Sequence, residues 1–460
     1  MQIQTLDDKD ALTFCARDEG HFFDRKAVGL KPAKMQKIAV AFANADGGEF
    51  VVGIADSGDE PDPAKRWAGL ATQEDFNQHI QALMEITPTL PFRFQFLACP
   101  LHSGLVLQVQ VEKSSQVHSA ADKTVYVRRG AQSLPLNSAD EITALAFSKG
   151  AKSFEDYVVP SSRMELLVDS KEIKSFLADY SPRSDPVEFV VNQQLVDFKT
   201  WEPSVAGILL FSDQPSANMP RQCAVKIARY VTRDDDPERD HLKDTHTVEG
   251  ALYPLIHNVV AKVKEVMGAV SVWTTNGLKP VEYPPETIWE ILVNAVVHRD
   301  YSVSDNIQVL IFDNRIEIIS PGKFPAFITK DNILDARFSR NPRIVRTLNR
   351  YKDAPNRDMG EGLNTAFQKM KDFKLRPPVI SEDGNTVRAI IPHIPLASPE
   401  DAILEFLRNN PTIKNGQARD LTGIRSENAV KNVFYRLRDE KLIERVPDLE
   451  GSAAAWRFIK

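Results

Sequence analysis

Helix-period apolar stretches alternate with short apolar runs along this chain, and that rhythm sets most of the expected architecture. From Lys34 to Asn44, Met35, Ile38, Ala39 and Phe42 recur at i, i+3, i+4 and i+7, which predicts a helix with one face on a core. Asp46-Gly47-Gly48 breaks that helix, and Glu49-Phe50-Val51-Val52-Gly53-Ile54 reads as a buried strand. Ser103 to Glu112 alternates as a second strand, and Thr124 to Gly130 is a third. Ala206 to Phe211 is an unbroken apolar run that reads as a strand, and Gly250 to Met267 as a helix. Between these two, Asp234 to Asp240 is acidic enough to read as a solvated loop. Glu290 to Tyr301 is helical again. In the tail, Pro399 to Leu407, Ala418 to Thr422 and Ser426 to Glu440 read as three helices with Gly423 at a turn, and Trp456-Arg457-Phe458 closes as a strand.

These patterns, without any repeat of fixed period, divide the chain into expected domains at 1–150, 151–283, 284–395 and 396–460, a multi-domain α/β (α+β) protein. A content of 42% hydrophobic and 26% charged residues describes a globular chain and excludes a disordered one. No apolar run reaches the roughly eighteen residues of a membrane helix, and the first residues lack the basic-then-apolar layout of a secretory signal. A cytoplasmic protein with no membrane partner is therefore expected. Cys15, Cys99 and Cys223 form no Cys-x-x-Cys pair, so neither a disulfide framework nor a cysteine-based zinc site is expected. The net charge of −6 argues against bulk coating of nucleic acid while leaving local basic grooves open.

Three acids stand near the first helix and strand: Glu19, Asp24 five residues on, and Asp56 just after the strand. Converging carboxylates would form an oxygen-rich pocket for Mg²⁺ or Mn²⁺, with Lys26 near a scissile phosphate. From the residues alone, acids like these more often lie on a solvated surface. Asn44 reads as a helix cap and Gly47-Gly48 as turn glycines. Arg128 and Arg129 alternate across a strand, so one of them is a candidate phosphate contact.

The segment Glu19-x4-Asp24-Arg25-Lys26, then Ala41-Phe42-Ala43-Asn44-Ala45-Asp46-Gly47-Gly48 and Gly53-Ile54-Ala55-Asp56, resembles the Schlafen AlbA-type domain, as does Tyr126-Val127-Arg128-Arg129-Gly130. The resemblance covers roughly 130 residues. It implies a metal-dependent ribonuclease that cuts tRNA or similar structured RNA, with Glu19, Asp24 and Asp56 as catalytic metal ligands and Lys26 assisting. It also implies a growth-arrest or antiphage role and a homodimer. Asp24 stands where the family shows glutamate, and Arg25 where it shows phenylalanine.

Glu290, Asn294 and His298 recur every fourth residue of the predicted helix and so share a face. With Ser320-Pro321-Gly322 and Met359-Gly360-Glu361-Gly362 they resemble the GHKL-like module often labelled RecG-like carboxy-terminal. That resemblance implies ATP bound by Glu290, Asn294, His298, Gly322, Gly360 and Gly362, although Ser320 falls where GHKL ATPases place the adenine-contacting aspartate. A hydrogen-bonded polar seam is the competing reading. No Gly-x-x-x-x-Gly-Lys-[Ser/Thr] loop occurs, so nothing here reads as a P-loop helicase.

The tail resembles bacterial winged helices, with Arg425 and Lys431 as candidate DNA contacts. Residues 401–460 hold eleven Lys/Arg against nine Asp/Glu, a balance of +2, which suits protein docking as well as DNA. Two functions follow: a metal-dependent endoribonuclease regulated by the ATPase-like module, or a non-catalytic DNA-binding transcription regulator with a GHKL-like ligand pocket.

Overall fold

The computed structural model describes residues 3–274, 277–355, 362–393, 399–447, 449 and 454–459. It is a mixed α/β protein that divides into two compact units, Met1–Ser153 with Phe324–Thr329, and Phe154–Lys323 with Lys330–Lys460.

The first unit runs β1 (Ile3–Thr5), α1 (Asp8–Ala16), β2 (Phe23–Lys26), α2 (Pro32–Asn44), β3 (Gly48–Val52) and α3 (Asn77–Met84). It continues with β4 (Phe92–Ala98), β5 (Val106–Val111), the hairpin β6 (Val125–Arg129) and β7 (Gln132–Leu136), and α4 (Ala139–Lys149). Its main sheet has the order β1-β4-β5-β3-β2, which leaves β2 at an edge, parallel to β3. Both faces are covered. Phe50 and Val52 join a core with Met35, Phe42 and Leu83, while Val51 joins another with Ala11, Cys15 and Trp67. This two-sided burial is why β3 is apolar without alternation.

The predicted helix is α2, begun by Pro32 at its first position. Gly47 and Gly48 turn the chain with φ of +78° and +158°. A side chain at Gly48 would run into the Phe42 ring, so the turn needs glycine for space as well as for conformation. Asn44 is not the expected helix cap, since Ala45 is the C-cap; the Asn44 amide instead donates to the carbonyls of His118 (2.8 Å) and Tyr126 (2.9 Å) and accepts from the His118 N–H. It ties the end of α2 to the hairpin.

The second unit opens with helices α5 (Glu165–Val168), α6 (Lys171–Tyr180), α7 (Pro186–Asn192), α8 (Val205–Phe211) and α9 (Pro215–Asn218). Then come β8 (Val225–Tyr230), β9 (Leu242–Val248), α10 (Leu252–Met267), β10 (Ser271–Thr274), β11 (Gly277–Pro280) and α11 (Pro285–Val297). After these follow β12 (Ile307–Ile311), β13 (Arg315–Pro321), α12 (Pro342–Leu348), α13 (Gly362–Asp372), β14 (Val379–Asp383) and β15 (Thr386–Pro392). The tail contributes α14 (Pro399–Asn409), β16 (Ile413–Lys414), α15 (Asn415–Thr422), α16 (Glu427–Asp439), β17 (Ile443–Arg445) and β18 (Ala455–Phe458).

Two expectations are corrected here. Ala206–Phe211 is helix α8, not a strand: Ser204 caps it by accepting from the Gly207 N–H, and every residue from Val205 to Phe211 is buried. An apolar run buried on all sides shows no period, and here the cap decides. The segments 151–283 and 284–395 also do not fold apart. Strands β8 and β9 complete one sheet of order β14-β15-β13-β12-β8-β9, with β8 parallel to β12, and one core includes Leu209, Val259, Leu292 and Ile318. The tail packs its three helices on a small sheet of order β16-β18-β17 around Phe406, Leu421, Phe434 and Trp456.

Candidate functional site

Strand β2 carries the first cluster. Alternation sends Phe23 and Arg25 to one face and Asp24 and Lys26 to the other. Arg25 is buried, its Nη1 donating to the carbonyls of Cys15 (2.8 Å) and Arg17 (2.6 Å), so it is a structural cross-link. Asp24 is buried as well. Its Oδ2 accepts from Arg128 Nη1 at 2.6 Å, and its Oδ1 pairs with the Lys26 ammonium at 2.5 Å. That same ammonium donates to Glu19 Oε1 at 3.0 Å, so Lys26 bridges two of the three predicted acids. Burial alone would lower the Lys26 pKa, but hydrogen bonds and charge from Asp24 and Glu19 outweigh it and raise the pKa.

Asp56 stands apart. Its Oδ1 accepts from the backbone N–H groups of Gly58 (2.9 Å) and Asp59 (3.0 Å) in the turn after β3. The Asp59 N–H above all, then that of Gly58 and the charges of Lys26 and Arg25, hold this carboxyl below the usual range. The ligand atoms of Glu19, Asp24 and Asp56 do not all come within 4.8 Å of one another, so the expected three-acid metal set is incomplete in this arrangement. The turn amides hold the third carboxylate. Glu19 and Asp24, by contrast, already converge on a single cationic centre, and hard oxygen donors around one positive charge are what Mg²⁺ or Mn²⁺ takes.

Arg128 is corrected from phosphate contact to internal clamp. It is buried, donates to the carbonyls of Gly20 (2.8 Å) and Phe23 (3.2 Å) besides Asp24, and lies 4.7 Å from the Phe42 ring centroid. Arg129 points the other way and is exposed.

On α11, Asn294 donates to the carbonyl of Glu290 at 2.8 Å, closing a bond within its own helix. His298 ends the helix, and burial, with help from the Arg340 charge, pushes its imidazole down to about 4. Gly362 packs so closely on Glu290 that a methyl group there would overlap the carboxylate. Gly322 (φ +106°) is closed over by Asp300 and Arg340, themselves 3.8 Å apart, and Ser320 Oγ donates to the Ala295 carbonyl at 2.8 Å. The structure thus unites Glu290 with Gly362, occupies Asn294, His298 and Gly322 in packing, and leaves Gly360 outside the described residues. Sequence reading missed Asp300, Arg340 and Asn341. The Asn341 amide donates to the carbonyls of Val297 and Arg299, each at 2.9 Å, and the Asn341-Pro342 start of α12 was the available signal.

In the tail, Lys431 pairs with Glu427 at 2.7 Å and Arg425 with Asp235, so both proposed DNA contacts hold internal partners. The acidic loop read as solvated therefore carries contacts: Asp235 meets Arg425 and Arg315, and Arg233 meets Asp420.

Residues 19–137 match the family described as Schlafen, AlbA_2. The chain carries a Schlafen AlbA_2 domain. Residues 304–391 match the family described as ATP-dependent DNA helicase recG C-terminal (HATPase_c_4), so this Schlafen AlbA_2 domain shares its chain with an ATPase-like module. The helicase wording belongs to that family's description. Both modules belong to nucleic-acid-related families. No curated protein matches the chain. Among solved structures, the DIP2311 protein from Corynebacterium diphtheriae is 18% identical over 98% of this chain and 96% of its own, with a TM-score of 0.40. Among the described residues no helix is long and apolar enough to cross a membrane.

Proposed function

We propose that this protein is a metal-dependent endoribonuclease cutting tRNA-like structured RNA through its Schlafen AlbA_2 domain. The single observation that carries the reading is the Glu19–Lys26–Asp24 cluster at the edge strand, where two carboxylates hold one cation. Glu19 and Asp24 would hold Mg²⁺ or Mn²⁺, which when bound supplies charge stabilisation at the phosphate and an activated water. Lys26 is the residue that moves: a phosphodiester offers its ammonium a third anion, and its half-exposed side chain leaves the pair for the scissile phosphate. Arg128 stays buried and keeps Asp24 oriented. Asp56, held charged by turn amides outside the carboxylate pair yet within reach of the Lys26 charge, would orient a water or a ribose hydroxyl.

The test is cleavage of tRNA by the purified chain with Mg²⁺ or Mn²⁺. Glu19→Gln keeps the size of the side chain and should slow cleavage about 100-fold or more while the unfolding midpoint stays put. RNA binding without cleavage by the unaltered protein would leave a binding protein and sink the proposal.

A further inference from the structure

The geometry points to a zinc site in the first unit, built from Asp8, Cys99 and His102, with solvent completing the shell. Among the described residues, these three bring their ligand atoms within 4.8 Å of one another. His102 Nε2 and Asp8 Oδ1 are 3.5 Å apart. Two ligand atoms about 2.1 Å from one ion at the tetrahedral angle lie about 3.4 Å apart, so this pair already has a zinc-like spacing. Thiol, imidazole and carboxylate together suit zinc, whereas Mg²⁺ and Ca²⁺ take oxygen alone.

The fold explains why they meet. Cys99 and His102 flank the turn that follows β4, with the His102 N–H donating to the Cys99 carbonyl at 3.1 Å. Both ligands therefore come from one short loop in a Cys-x-x-His spacing. Asp8 opens α1 and brings its carboxylate to the imidazole. The Trp67 ring stacks on His102 with centroids 5.6 Å apart, which fixes the plane of the imidazole. Access is graded, from buried Cys99 through His102 at 16% to Asp8 at 60% side-chain exposure, so the ion enters past the carboxylate. Zinc takes the Cys99 thiolate, so the thiol proton leaves to solvent on binding. A bound ion pins the start of α1 to the end of β4. The site shares no residue with the Glu19–Lys26–Asp24 cluster.

The experiment uses the full-length chain, stripped with a chelator and titrated with Zn²⁺ and, as a spectroscopic stand-in, Co²⁺. The expected result is about one ion per chain and a thiolate-to-cobalt charge-transfer band. Cys99→Ser should abolish the band, and His102→Ala should weaken zinc binding by more than about 100-fold, beyond what loss of an outer partner does. Asp8→Ala, at an exposed position that folding tolerates, should keep the band and lose about tenfold in affinity. Glu19→Gln should leave zinc binding unchanged. Unaltered zinc affinity in Cys99→Ser, or no band from the unaltered chain, overturns the site.

Discussion

The Glu19–Lys26–Asp24 cluster and the α11 helix both present polar side chains at spacings readable in the sequence, and the structure uses them in opposite ways. In the first, residues from a loop, an edge strand and a hairpin meet, so each charge is answered by one from another element. In the second, Asn294 answers the backbone of its own helix and His298 is desolvated. Regular spacing puts side chains on one face. Pairing between different elements is what gives that face a charge centre.

Truncating Asp24 tests the contrast most severely. Asp24→Ala leaves Arg128, 1% exposed, as a buried cation without its carboxylate, and should destabilise the protein by about 3–5 kcal/mol in urea unfolding. A loss under about 1 kcal/mol would break the claim that this pairing is structural. On the α11 side, Gly362→Ala makes the flexible end of the Glu290 side chain swing aside, and should cost at most about 1.5 kcal/mol by the same measurement. A loss above about 3 kcal/mol would mean that the Glu290 carboxylate is held in place and cannot yield. Asn294→Ala removes one half-buried, intrahelical hydrogen bond and should cost only about 0.5–1.5 kcal/mol. A much larger loss would mean that Asn294 holds more than its own helix.

How far the sequence could be read follows from the range of the forces involved. The α2 helix, the glycine turn and β3 came through because local period and turn chemistry dictate them. Helix α8 did not, since its uniform apolar run hides the period and only Ser204 betrays it. At the site, strand alternation separated Arg128 from Arg129 but not which one faced inward. That depends on Asp24, 104 residues earlier in the chain. The division of the sheet was hidden for the same reason, because β8 pairs with β12 across more than eighty residues. Asp8 and Cys99 lie farther apart than any spacing rule reaches, and a search for paired cysteines passes over a cysteine–histidine turn.

Arg128 also has a mechanical consequence. One guanidinium grips the Gly20 and Phe23 carbonyls and the Asp24 carboxylate, riveting the β6–β7 hairpin to the strand edge that carries the acids. Its neighbour Arg129 faces outward from the same strand. A load applied to the exposed side of the hairpin is therefore borne at the buried Asp24 and at the Gly20 and Phe23 carbonyls.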